Sequence, residues 1–133
     1  MSALVQAAVK ARLTAYAPYS KFLVGAAMLD EYGIIHSGCN VENSAYPEGT
    51  CAEAGAIASL AISGARHIME VAVVGAGSGL VTPCGGCRQK IREFAGPDVK
   101  IHVCDDGGTI KRTFTLEELL PSSFGPDNLD VTP

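Results

Sequence analysis

The chain has 133 residues, a formal charge of −4 from ten Lys+Arg against fourteen Asp+Glu, and a composition that is 47% hydrophobic and only 18% charged. That length suits one domain, residues 1–133, whose single core removes roughly two-thirds of the unfolded surface from water without disulfides. The apolar content excludes a disordered tail protein and leaves apolar surface for subunit contacts. The acidic balance argues against a nucleic-acid partner, whose affinity comes largely from Lys and Arg neutralising phosphates.

Apolar positions Leu4, Val5, Ala8, Val9 and Leu13 recur at helical spacing, with Ser2 as N-cap, and the stretch from Ala17 to Ser20 breaks that helix. Phe22–Leu29 reads as a buried strand, and Ile34–Cys39 pairs back on it across a turn at Asp30–Gly33. A loop follows over Asn40–Thr50. Cys51–Ser63, rich in Ala, reads as a closely packed helix, with Thr50 and Glu53 at the spacing of a capping box. Val71–Val74 is a short strand and Gly75–Gly79 a flexible connector. The connector lacks the spacing and the Lys-Ser/Thr pair of a phosphate-binding loop. Thr82 and Pro83 suit the N-cap and first position of a helix running to Phe94. Lys100–Cys104 and Ile110–Phe114 read as strands, Thr115–Leu120 as a short capped helix, and the tail as irregular. The order α-β-β-α-β-α-β-β-α implies an α/β domain with a partly parallel sheet and helices on both faces.

The N-terminus lacks the basic start and apolar run of a secretory signal, and no stretch approaches the roughly 18 apolar residues of a membrane span. A cytoplasmic protein without membrane association is expected. Five cysteines in a reducing compartment point to metal or catalysis rather than to a disulfide framework.

Cys51 and Glu53 open one predicted helix, and Cys84 and Cys87, after Pro83, open another. Helix N-termini carry free N–H groups and partial positive charge, which favour thiolates. Three thiolates suit Zn²⁺ with a fourth position left for water, the arrangement of a catalytic rather than a structural site. Zinc lowers the pKa of such a water toward neutrality, and a carboxylate beside it, Glu53, suits proton transfer. A redox Cys-x-x-Cys would leave Cys51 and Glu53 without a role. A structural zinc site would need Cys39 or Cys104 as a fourth ligand, and both read more simply as small core residues ending strands. His36, His67 and His102 stand apart from these motifs. Cys-x-Glu followed by Pro-Cys-x-x-Cys is the zinc nucleobase-deaminase pattern with Cys in place of the first His.

The chain resembles the small, three-cysteine, homotetrameric type of cytidine deaminase almost end to end. The likeness lies in Tyr19–Ala26 (YSKFLVGA), Gly38–Pro47 (GCNVENSAYP), Cys51–Glu53, Pro83–Gln89 (PCGGCRQ) and Leu119–Phe124 (LLPSSF). The Asn-Val-Glu-Asn segment separates nucleoside deaminases from polynucleotide-editing relatives. The resemblance implies a three-layer α/β/α fold with a mixed five-stranded sheet. It implies one Zn²⁺ per chain on Cys51, Cys84 and Cys87, and Glu53 as the proton carrier between water, N3 of the base and the leaving ammonia. It further implies that Asn40 and Glu42 hold the ribose, that Phe22 packs on the nucleoside and that the Ala52 backbone reads the base. Ser44, Tyr46 and Phe124 would complete the site of a neighbouring subunit in a homotetramer. The implied activity is conversion of cytidine and deoxycytidine to uridine and deoxyuridine in pyrimidine salvage. A deaminase of another aminated nucleoside or base, and a non-catalytic zinc module, are the alternatives.

One departure stands out. The family usually has Arg after Cys-Ala-Glu, where this chain has Ala54. Zn²⁺ with three thiolates carries a net charge of about −1, which that arginine offsets. Arg88, next to Cys87, is the expected substitute, with the two helix N-termini as the remaining source of positive potential.

Overall fold

The computed structural model describes residues 1–133. Helix α1 (Ala3–Arg12) leads into strands β1 (Val24–Asp30) and β2 (Ile35–Cys39), then α2 (Ala52–Ile62), β3 (Ile68–Gly75), α3 (Gly85–Phe94), β4 (Lys100–Cys104), β5 (Ile110–Thr115) and α4 (Leu116–Leu119). The strands form one sheet in the order β2-β1-β3-β4-β5. Only the β3–β4 pair is parallel. The mixed five-stranded sheet matches the expectation.

Alternation along the strands divides the core between the two faces. Ala27, Ala72, Val74 and Cys104 meet Leu4, Val5 and Ala8 of α1 on one side. Ala26, Met28, Val71, Val73, Ile101 and Val103 face the other, against Ala52, Ala56 and Leu60 of α2, Ile91 of α3 and Leu116 of α4. No helix is long and apolar enough to cross a membrane.

Local capping follows the sequence at both ends of the chain. Ser2 Oγ accepts from Val5 N at 3.2 Å, and Thr115 with Glu118 forms a capping box on α4. In the middle it departs from expectation. The N-caps of α2 and α3 are Cys51 and Cys84, not Thr50 and Thr82, and neither helix has a side-chain cap bond. The Thr50–Glu53 capping box therefore does not form, and Glu53 turns into the interior. Strand β3 is also longer than Val71–Val74. Pairing with β1 from Val24–Gly75 to Asp30–Ile68 sets its length, which local composition does not reveal. The tail contains a 3₁₀ turn at Pro126–Leu129 rather than being wholly irregular.

Close approach of α2 to the sheet is what sets the position of its N-terminus. A Cβ at Gly38 of β2 would lie 2.4 Å from the Ala52 carbonyl oxygen and 2.5 Å from Ala56 N. Both obstacles are helix backbone and cannot rotate aside. Gly38→Val should therefore cost roughly 2–3 kcal/mol of stability through overpacking. It should also displace Cys51 and Glu53, both carried by that helix end. Denaturant unfolding of the purified variant checks the first effect and its metal content the second.

Candidate active site

The N-termini of α2 and α3 converge beside the end of β3. Cys51 sits at the cap of α2, Cys84 at the cap of α3 and Cys87 three residues into α3. Their three sulfurs lie within 4.8 Å of one another, and Cys51 Sγ and Cys84 Sγ are 4.0 Å apart. Tetrahedral zinc with Zn–S bonds near 2.3 Å needs sulfurs about 3.8 Å apart. All five cysteines are free thiols. The donor set thus fits zinc in both chemistry and spacing, and Cys39 and Cys104 take no part in it. Cys104 is buried in the α1-side core, and Cys39 Sγ faces Thr14 Oγ1 at 3.7 Å.

The three thiols differ in their surroundings. Burial pushes the Cys51 and Cys87 thiols up, Cys87 strongly. The Cys84 thiol is lowered, chiefly by the backbone N–H of Cys87, the free donor of a helix start. Without metal, the first two are therefore held as neutral thiols. Glu53 is 3% exposed, and burial raises its carboxyl above the ordinary range. The Cys87 thiol and the Lys90 ammonium oppose that shift. Lys90 was not among the residues expected from sequence. Its position three residues after Cys87, on the same face of α3, was the available signal.

A cavity of about 360 Å³ opens onto this cluster, lined among others by Phe22, Asn40, Glu42, Ala52, Glu53 and Thr82. The apolar wall is completed by Val24, Val73 and Val81. Its size and its few convergent polar groups are those of a small-molecule site.

Asn40 and Glu42 do more than line the cavity. Asn40 Oδ1 accepts from Val24 N at 2.8 Å, and its Nδ2 donates to Phe22 O at 2.9 Å. Glu42 Oε1 accepts from Tyr19 N at 3.1 Å and Ser20 N at 3.0 Å, while Oε2 accepts from Ser20 Oγ. Ser20 Oγ in turn accepts from Phe22 N at 3.0 Å. The Ser20 hydroxyl and backbone hold the Glu42 carboxyl below its usual range, so it stays ionised. Of the roughly four lone-pair positions on that carboxylate, one remains for a ligand hydroxyl. Ser20 is the second residue that sequence reading missed. Its hydroxyl joins the Glu42 carboxylate, 22 residues away in sequence, to the Phe22 backbone. Ser20→Ala should raise KM for a nucleoside about tenfold, the scale of one lost bond to a charged group, with kcat nearly unchanged. Steady-state kinetics separates the two.

The remaining expected residues divide between this cavity and the surface. Tyr46, expected to serve a neighbouring site, lines the cavity of its own chain and packs edge-on against Tyr19, ring centroids 5.8 Å apart. Ser44 and Phe124 are exposed and do not line this cavity. Arg88 spends its hydrogen bonds on oxygen: Nε donates to Pro83 O at 2.7 Å, Nη1 to Leu119 O at 2.8 Å and Nη2 to Thr82 Oγ1 at 3.1 Å. These bonds brace the segment that carries Cys84, and none reaches a thiol. The helix N-termini supply the positive potential that does act directly on the cluster.

Comparison with known proteins agrees with this geometry. The family profile described as "Cytidine and deoxycytidylate deaminase zinc-binding region" matches residues 1–103. Cytidine deaminase of Sporosarcina psychrophila is 44% identical over 126 residues, covering 95% of this chain and 92% of that one. Cytidine deaminase of Halalkalibacterium halodurans is 38% identical, covering 96% of each. The crystal structure of cytidine deaminase from Burkholderia pseudomallei superposes with a TM-score of 0.86 at 41% identity, covering 93% of this chain and all of that one.

Proposed function

The chain belongs to the cytidine and deoxycytidylate deaminase family, and on that premise we propose that it hydrolyses cytidine and deoxycytidine to uridine and deoxyuridine with release of ammonia. The observation that carries this reading is a buried carboxyl, Glu53, that lines one cavity with Asn40, Glu42 and two thiols, Cys51 and Cys84, of the three-sulfur cluster.

Cys51, Cys84 and Cys87 would hold one zinc ion per chain, which would supply Lewis acidity toward the water that attacks C4 of the base. Glu53 takes a proton from the attacking water and delivers it to N3, then carries a second proton to the departing amino group. Its low exposure and raised affinity for protons suit both directions of transfer. The Ala52 backbone, at the first turn of α2, reads the base edge. Phe22 packs on the nucleoside, and Asn40 and Glu42 take the sugar hydroxyls. Asn40 has one amide hydrogen and one lone pair still free after bracing β1, and Glu42 has its one open lone pair.

The wider reading is a cytoplasmic homotetramer of single-domain chains, residues 1–133, working in pyrimidine salvage. Phe124, Ser44 and Tyr46 would complete a neighbour's site; the first two are exposed and outside their own chain's cavity, and Tyr46 also lines its own. Arg88 acts as a brace for the Cys84 segment.

The test is turnover of zinc-loaded protein on cytidine, deoxycytidine, free cytosine and cytosine within a single-stranded oligonucleotide. Turnover of both nucleosides well above cytosine and the oligonucleotide is the expected result. Preference for free base would overturn the sugar-binding role of Asn40 and Glu42. Preference for the oligonucleotide would move the protein to the polynucleotide-editing class.

A further inference from the structure

Helix α3 carries Cys87 at its start and uses its next two turns to hold the C-terminal segment. Gln89 Nε2 donates to Phe124 O at 2.9 Å. Arg92 Nε donates to Ser123 Oγ at 2.9 Å, and Arg92 Nη2 pairs with Asp127 at 2.6 Å. Between those two bonds the guanidinium lies against Gly125. A Cβ there would sit 2.2 Å from the Arg92 guanidinium carbon. Phe124 is thus clamped by its own carbonyl and by its neighbours on either side. The residue, by contrast, is 59% exposed. The backbone is fixed, and the large apolar side chain is turned outward.

An aromatic side chain held this way is set up for contact outside its own chain. We propose that Arg92, with Gln89, is a positioning residue that presents Phe124 to the substrate cavity of a second copy of this chain. This rests on the shared-site reading above. One helix then serves two sites, with Cys87 at its own chain's metal cluster and Arg92 and Gln89 holding the residue lent to a neighbour. The planar fork of arginine bonds Ser123 and Asp127 at once while lying flat on Gly125. A lysine ammonium, compact and not planar, cannot span both acceptors while lying flat on that glycine.

The experiment uses full-length, zinc-loaded protein carrying Arg92→Lys, Gly125→Ala or Phe124→Ala. Each is assayed alone and after co-expression with a Glu53→Gln chain bearing a different tag. Arg92→Lys and Gly125→Ala should each raise KM about tenfold, the scale of one lost aromatic contact, with kcat and melting temperature close to wild type. Co-expression should restore sites of wild-type KM, because Glu53→Gln chains supply an intact tail to sites that retain Glu53. With equal mixing about a quarter of sites qualify in a symmetric assembly. Unchanged KM in both latch variants would overturn the proposal. So would a raised KM that mixing fails to rescue while Phe124→Ala is rescued, since the latch would then act on its own chain. Failure of Phe124→Ala itself to be rescued would overturn the shared site and the latch with it.

Discussion

Replacing Glu53 with Gln should lower kcat on cytidine by about 10³–10⁴-fold while leaving the fold and the metal content intact. Glu53 is 3% exposed, and the amide is nearly isosteric, so packing of the α2 start is preserved. What disappears is the ability to accept and return a proton. Glutamine can still donate a hydrogen bond to the base, so KM should change far less than kcat. That pattern is the signature of an interaction made in the transition state rather than in ground-state binding. A large rise in KM with little loss of kcat would instead make Glu53 a binding residue. Loss of zinc from the variant would make it part of the metal site.

The second large effect concerns the metal. Cys87→Ala should weaken zinc binding at least about a hundredfold and abolish turnover, because two thiolates and solvent replace a three-thiolate set. Cys87 is buried and the alanine leaves a small void, so a modest loss of stability is also expected. Wild type gives a matching pH dependence. Burial raises the thiol pKa of Cys51 and Cys87 in the metal-free chain, so both hold protons at neutral pH. Metal binding must displace those protons. Affinity therefore rises with pH and falls as the solution is acidified, and loading at neutral pH releases roughly two to three protons per ion. Zinc titration in a weakly buffered indicator solution measures the release, and the same titration at two pH values gives the sign.

The nine helices and strands were legible because each carries its own pattern: helical spacing in Leu4 to Leu13, a tight hairpin around Gly33, and Thr115 with Glu118 at capping distance. What local pattern could not supply was the extent of β3. Ile68, Glu70 and Gly75 join that strand because Asp30, Leu29 and Val24 of β1 pair with them, and Met69 falls at the irregularity between Ile68 and Glu70. The caps of α2 and α3 misled for a different reason. Thr50 and Thr82 are better N-caps by propensity than cysteine, yet the chain places sulfur at both positions. A local rule broken at two helix starts that meet in space marks a functional site.

The three-cysteine cluster and Glu53 were legible for the opposite reason, since the residues that meet there lie at short spacings in the sequence. The supporting residues were not. Ser20 reaches Glu42, Arg92 reaches Ser123 and Asp127, and Arg88 reaches Leu119, all across long stretches of sequence. Arg88 shows the difficulty most clearly. Its place beside Cys87 suggested charge compensation, but the carbonyls of Pro83 and Leu119 take its donors. Proximity in sequence on a helix does not specify which way a long side chain turns.

The central claim is hydrolytic removal of the amino group of cytidine. Its most direct test follows the ultraviolet absorbance of cytidine with zinc-loaded protein while ammonia is quantified in the same reaction. The account predicts a fall in absorbance with one ammonia released per uridine formed. Full zinc loading with no fall and no ammonia would contradict it.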